Sequence, residues 1–329
     1  MLKEEVLSLL LNAREPVSGE GICKTFGVTR AAVWKTIDQL RQEGYGIDAA
    51  PKRGYTLASV PDRLDTALVR AHLSGHPWQT LVTAVPSVDS TNNACKRLAA
   101  EGAPDGTAIL TGCQTAGRGR RGRTFVSPPG GLYFSVILRP HAKPEALMHL
   151  TAMAAVAAAR AVFAVSGVYP DIKWTNDLVL GGKKLCGILT ELTVEAETGT
   201  VDSIVAGIGV NVRQRPEDFP PELRTIAGSV RSETGLEISR ARLAAEMVRA
   251  LDQMYLDWQR DPRAYLDDYR ARCITVGRPV RVVRGELVRT GFAEAVDDDF
   301  ALVVRWPDGA RETVTGGDVS VRGLFGYLD

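Results

Sequence analysis

Apolar residues recur at helical spacing over residues 4–11, 17–26 and 28–43, with Gly27 between the second and third segments. This order predicts a helix followed by a helix-turn-helix. In the third segment Thr29 stands as an N-cap, Val33, Ile37 and Leu40 form an inward stripe, and Gly44 ends the helix. Its opposite face offers Arg30, Ala31, Trp34, Lys35 and Arg41. Residues 47–57 alternate as a short hairpin with Pro51-Lys52-Arg53-Gly54 at the turn, as in the wing of a winged helix. Such a front unit either reads DNA or packs as a structural element. The short-sided, basic-ended third helix favours DNA.

Residues 59–63 read as a linker. Helical spacing follows over 64–73, a strand over 80–86, and the polar string Ser87-Val88-Asp89-Ser90-Thr91-Asn92-Asn93 leads into a helix over 94–101. Those hydroxyl and amide groups suit either a helix cap or a small polar ligand at a helix N-terminus. Apolar runs at 108–110 and 132–138 predict two strands, and 147–165 a long alanine-rich helix. The runs at 172–180 and 183–191 join across Gly181-Gly182 as a hairpin, 201–212 is a further strand, and 240–255 and 263–272 are helices. From residue 276 the pattern shifts to short alternating strands near 280–283, 291–295, 301–306 and 312–314. A small SH3-like β-barrel is the expected closure.

With 329 residues, 45% hydrophobic and 24% charged, the chain has room for two or three globular domains. A formal net charge of +1 gives no global case for nucleic acid or membrane, so polyanion binding must come from local patches. Residues 1–60 also carry a net charge of only +1, so one copy should hold DNA weakly and a dimer would be needed. Five cysteines without C-x-x-C spacing argue against a disulfide framework or zinc site. The chain opens with no basic-then-apolar leader, and the 147–165 run contains His149 and Arg160. A core helix and a cytoplasmic protein without membrane contact are expected.

Residues 114–123 hold four arginines and three glycines, and no Asp or Glu lies between Asp105 and Glu145. Glycine lets backbone N–H groups converge on an oxyanion, and arginine adds fixed charge, so this loop is expected to bind anions with nothing local to neutralise it. Gly117, Gly119 and Gly122 match G-x-G-x-x-G, but Ser127-Pro128-Pro129-Gly130-Gly131 follows where a dinucleotide site needs a helix. A merely solvated or RNA-binding arginine–glycine segment is the other reading. Its place between two strands speaks against that.

Together the winged helix, Asp89-Ser90-Thr91-Asn92, Gln114 with the arginine–glycine loop, Lys173-Trp174 with Asn176-Asp177, Lys184-Leu185 with Gly187-Ile188-Leu189, Gly207-x-Gly209-x-Asn211 and a C-terminal barrel resemble the biotin–protein ligases that double as biotin-operon repressors. The resemblance covers nearly the whole chain. It implies an α/β multidomain (α+β) fold: a winged helix-turn-helix over 1–60, a mixed-sheet catalytic domain of the class II biotin/lipoate ligase type over 64–273, and an SH3-like barrel over 275–329.

The resemblance also implies a two-step reaction. Biotin and MgATP form biotinyl-5′-adenylate, which then acylates a lysine of the biotin carboxyl carrier protein of acetyl-CoA carboxylase. Lys184, Arg118, Arg120 and Arg121 are the implied catalytic residues; Lys183 is displaced from the motif's frame. Ser90, Thr91, Asn92, Gln114, Gly117, Arg118, Gly119, Arg120, Lys184, Gly187 and Gly207 are implied to hold biotin. Arg121, Arg123, Phe125, Lys173, Asn176, Asn211 and Arg322 are implied to hold the nucleotide. Asp177 would support Mg2+ or the attacking lysine, or is a turn residue. Thr29, Arg30, Ala31, Trp34, Lys35 and Arg53 would meet operator DNA, with the adenylate as co-repressor that favours a homodimer.

Thr175 stands where such proteins usually have proline, and Phe125 where Trp often follows the loop. The rival readings are a lipoate–protein ligase, a biotin sensor without ligase activity, and a ligase whose front domain is purely structural.

Overall fold

A computed structural model describes residues 2–50, 53–140, 147–195, 197, 199–261, 263–315 and 319–323. The front unit comprises α1 (Leu2–Asn12), α2 (Gly19–Phe26), α3 (Arg30–Gln42) and the antiparallel hairpin β1 (Gly46–Ala50) and β2 (Gly54–Ser59). Its helix ends follow from their chemistry. Ser18 Oγ accepts the Gly21 N–H at 2.9 Å to start α2, and Gly27 closes that helix at φ +64°. Thr29 Oγ1 accepts the Ala32 N–H at 3.2 Å to start α3, and Val33, Ile37 and Leu40 are buried as the pattern predicts. Arg41 departs from its expected free face: its guanidinium donates to Ile47 O at 2.9 and 2.6 Å. Pro51 and Lys52 of the expected wing turn lie outside the described residues.

The central unit contains α4 (Thr66–His72), β3 (Val82–Val85), α5 (Thr91–Ala100), β4 (Ala108–Thr111), β5 (Leu132–Leu138), α6 (Leu147–Ser166), β6 (Asp171–Lys173), β7 (Asp177–Leu180), β8 (Lys183–Val194), β9 (Val201–Val210), α7 (Val230–Thr234), α8 (Arg240–Arg260) and α9 (Leu266–Arg272). Its strands form one mixed sheet in the order β3-β4-β5-β9-β8-β7-β6, in which only β3 and β4 are parallel neighbours. Because side chains alternate along a strand, β5 serves both faces. Leu132, Phe134, Val136 and Leu138 join the main core beneath α6 and α8, whereas Ile137 packs with Cys95 and Ala99 of α5. Helix α6 is long and apolar enough to cross a membrane, yet 61% of its apolar window is buried inside the fold.

The apolar run expected as one strand over 172–180 is two strands, β6 and β7, with a turn at Trp174-Thr175-Asn176 that includes a cis Trp174–Thr175 peptide. Long-range contacts hold this turn: Trp174 Nε1 donates to Phe300 O at 2.9 Å, and Tyr269 Oη donates to Thr175 O at 3.0 Å.

The C-terminal unit is a five-stranded antiparallel sheet of β10 (Pro279–Arg284), β11 (Leu287–Val296), β12 (Leu302–Arg305), β13 (Arg311–Val314) and β14 (Val319–Gly323), ordered β13-β12-β11-β10-β14. The expected linker is not a free tether. Asp62 accepts from Arg213 at 2.6 Å and from Arg240 Nε at 3.0 Å, and α1 packs across α4.

Candidate active site

A cavity of about 790 Å³ opens on the α5 face of the sheet. Glycines make its floor. A Cβ at Gly207 would lie 1.8 Å from Asn92 Oδ1, and one at Gly209 would lie 2.6 Å from the Phe125 ring. Any side chain at either position would displace these groups.

One wall is polar and hydrogen-bonded within itself. Gln114 Oε1 accepts from Thr91 N at 2.8 Å and Thr91 Oγ1 at 3.2 Å, so the side chain of a loop residue caps α5. Ser90 occupies the N-cap position, yet its hydroxyl makes no cap hydrogen bond. Ser135 Oγ, on β5, lies 2.7 Å from both Thr91 Oγ1 and Asn92 Oδ1. Asn92 Nδ2 donates to Glu191 Oε2 at 2.9 Å and Leu189 O at 3.2 Å.

The arginine–glycine loop folds over the opening. Gly119 N donates to Arg123 O at 2.7 Å and Phe125 N to Gly117 O at 2.9 Å, and Arg121 adopts φ +58° at the tip. Arg120 reaches across to Thr175 Oγ1 at 2.9 Å and Asn176 Oδ1 at 3.0 Å. Burial, with Arg121 and Arg123 adding repulsion, draws the Arg120 guanidinium below its ordinary pKa, against the opposing pull of Asp177. Arg118 donates to Asn93 Oδ1 at 2.8 Å and pairs with Glu191 Oε1 at 3.1 Å. Nothing local in the sequence neutralises the loop, as expected. Its counter-charges come from distant strands, Glu191 on β8 and Asp177 on β7.

Opposite the loop, Lys184 Nζ donates to Asp177 Oδ1 at 2.7 Å and stands 5.7 Å from the centre of the Phe125 ring. Asn176 Nδ2 donates to Ile188 O at 2.7 Å, which fixes β7 against β8. Lys183 turns away to Glu233 at 3.1 Å.

Ser90, Thr91, Asn92, Gln114, Arg118, Gly119, Arg120, Arg121, Arg123, Phe125, Lys173, Asn176, Asp177, Lys184, Gly187 and Gly207 all line this one cavity. Three candidates stand outside its wall. Gly117 lies behind it, where a Cβ would fall 2.3 Å from Phe125 O. Asn211 is buried beneath Lys184 and donates to Gly228 O at 3.0 Å, and its Oδ1 has no partner among the described residues. Arg322 pairs by its backbone with Arg281, whose side chain lines the cavity; the Arg322 side chain lies outside the described residues.

Tyr133, Thr225, Ile226 and Arg281 also line the cavity and were not anticipated from the sequence. Burial raises the Tyr133 phenol above its ordinary pKa, and its hydroxyl donates to Pro128 O at 2.8 Å. Alternation along β5 would have pointed to Tyr133; Arg281 arrives from a separate domain and left no local signal.

In the front unit, Arg30, Ala31, Trp34 and Lys35 of α3 lie on the solvent face with Thr29 and Arg53, and Trp34 is 63% exposed.

Three family models match the chain: an HTH domain over residues 3–56, the biotin/lipoate A/B protein ligase family over 84–211, and the biotin protein ligase C terminal domain over 275–322. Over 316 residues the chain is 34% identical to the bifunctional ligase/repressor BirA of Bacillus spizizenii, covering 94% of this chain and 96% of that protein. The chain belongs to the biotin–protein ligase family. This ligase is also 32% identical to the bifunctional ligase/repressor BirA of Escherichia coli over 97% of its length and 96% of that protein. Its fold matches that of a biotin protein ligase from Aquifex aeolicus in complex with biotin and ATP, with a TM-score of 0.64 and 26% identity over 74% of this chain and 98% of that one.

Proposed function

We propose that this ligase joins biotin to ATP as biotinyl-5′-adenylate in the cavity, passes biotin to a lysine of a biotin carboxyl carrier protein, and represses transcription through its winged helix. The observation that carries the reading is the convergence of Lys184 and the loop arginines on one cavity whose far wall is neutral and polar. Attack of a carboxylate on the α-phosphate brings two anions together. Fixed cations held in place before the reaction lower that barrier without reorganisation.

Lys184 bridges the biotin carboxylate and the phosphate, exchanging its Asp177 partner for the substrate. Arg118, Arg120 and Arg121 offset the charge that develops, and the loop excludes water from an anhydride that water would hydrolyse. Ser90, Thr91, Asn92 and Gln114 face the neutral ureido head of biotin with neutral donors and acceptors. Arg121, Arg123, Phe125, Lys173, Asn176 and Arg322 serve the nucleotide; Asn211 acts from beneath, holding the Lys184 strand to the 226–228 turn.

Asp177, the carboxylate among the described lining residues, would hold the magnesium that accompanies the nucleotide, and the ion would supply charge neutralisation at the phosphates. The boundaries 1–60, 64–273 and 275–329 divide the protein by task, and such a protein works in the cytoplasm, as a homodimer on operator DNA.

Lys184→Ala should abolish biotin-dependent pyrophosphate exchange while the thermal unfolding transition stays near that of the unchanged protein. Near-normal exchange in that variant would remove Lys184 from its role.

A further inference from the structure

Glu233, on α7, is an ionisable side chain outside the cavity wall, and it is seated between two turns. Its side chain is only 10% exposed. A Cβ at Gly181 would fall 2.7 Å from its Oε2, and a Cβ at Gly228 would fall 2.8 Å from its Oε1. A side chain at either position would displace the carboxylate. Oε1 also accepts from Ser232 Oγ at 2.8 Å and from Lys183 Nζ at 3.1 Å.

Both turns lead into the candidate active site. Gly181 belongs to the β7–β8 turn that delivers Lys184, and Gly228 closely follows Thr225 and Ile226, which line the cavity. The two segments are joined by their backbones: Lys184 N donates to Ile226 O at 2.7 Å, and Gly228 N to Lys184 O at 3.0 Å. Those bonds fix the pairing but let the segments pivot about them. A filled slot behind the pair removes that freedom, because close-packed atoms resist displacement.

We infer that Glu233 is a positioning residue for the ligase reaction: as a spacer between Gly181 and Gly228, it fixes the distance from Lys184 to the wall formed by Thr225 and Ile226. The inference rests on the ligase reading for its kinetic consequence, while its consequence for the backbone is independent of that reading. Shape carries the effect more than charge, since Lys183 is 32% exposed and an ion pair so open to solvent is worth little. The polar wall of Thr91, Asn92 and Gln114 is braced separately, through Ser135 of β5. Loss of the spacer is therefore felt where Lys184 meets the nucleotide, and the neutral head of biotin is spared.

Glu233→Ala empties the slot, whereas Glu233→Gln keeps it filled and keeps an oxygen for Ser232 and Lys183. In biotin-dependent pyrophosphate exchange by the full-length protein, Glu233→Ala should raise KM for ATP about ten-fold, the scale of a small misplacement at a site. Its Kd for biotin, measured without ATP, should stay within about two-fold of wild type. In amide hydrogen exchange the Lys184 and Gly228 N–H groups should exchange about ten-fold faster in Glu233→Ala. Glu233→Gln should match wild type in all three measurements.

Gly228 does not use positive φ, so its backbone accepts alanine and only the new Cβ meets Glu233. Gly228→Ala should reproduce the KM defect, and adding Glu233→Ala to it should relieve that defect in part, because the methyl group then enters an emptied slot. If Glu233→Ala fails to fold, Gly228→Ala carries the test by itself, and an unchanged KM for ATP there would overturn the inference. Unchanged KM in Glu233→Ala, an equal loss in Glu233→Gln, or simple additivity of the two alanines would overturn it as well. A wild-type protein without exchange activity would instead defeat the ligase reading, and the amide comparison then decides whether Glu233 is the spacer.

Discussion

Thr175 is one of two places, with Phe125, where this chain departs from the residue pattern it resembles, and its side chain has a physical role. The residue is buried, and its hydroxyl accepts from Arg120 at 2.9 Å, beside Asn176 Oδ1 at 3.0 Å. A proline there would offer no such acceptor. Thr175→Val keeps the shape of the side chain but takes this acceptor away from Arg120. A hydrogen bond to a charged group is worth about 1.5–3 kcal/mol, so adenylate should escape the site roughly ten-fold faster or more. Release of labelled adenylate from the purified protein measures this, and an unchanged escape rate would show that the hydroxyl does not secure the loop. At this scale the sequence was informative wherever chemistry was concentrated: four arginines, Lys184 and the Ser90-Thr91-Asn92 string are unusual enough to be read without a fold. Glu191 was not legible, because it sits inside an ordinary strand run and gains its role from the partner it meets across the sheet.

Among the elements, α3 tests the second activity. Its inward stripe is buried, its N-cap is made, and Arg30 and Lys35 remain in solvent at the end where base edges would be met. Arg30→Ala combined with Lys35→Ala should leave ligation unchanged and weaken operator protection about ten-fold or more, with a shallower salt dependence. Footprinting at two salt concentrations decides it, and protection at the same protein concentration as wild type would remove α3 from the recognition role. The element pattern was largely readable from periodicity and caps. The exception was 172–180, one continuous apolar run that the structure breaks at Trp174-Thr175-Asn176. Within that run the turn-forming pair Asn176-Asp177 is the mark of the break. It is held from outside by Phe300 and Tyr269, which sequence spacing cannot supply.

For the whole molecule, the three regions share one continuous hydrophobic core that runs from Val6 in α1 to Val314 in β13. Arg213 follows β9 and donates its backbone N–H to Gly130 O, while its side chain grips Asp62 between the winged helix and the catalytic unit. Arg240 grips the same carboxylate and reaches Gly131 O at 3.4 Å. The segment before β5 and the segment after β9 therefore meet the 59–63 connection at one ion cluster. None of this was legible in the sequence, where residues 59–63 read as a plain linker.

The central claim, that the cavity makes and transfers an activated biotin, is tested most directly with the purified protein, MgATP, a biotin-accepting carrier domain and either labelled biotin or labelled lipoate. The account predicts covalent label on the carrier with biotin and none with lipoate. Label from lipoate alone, or no label from either, would contradict it.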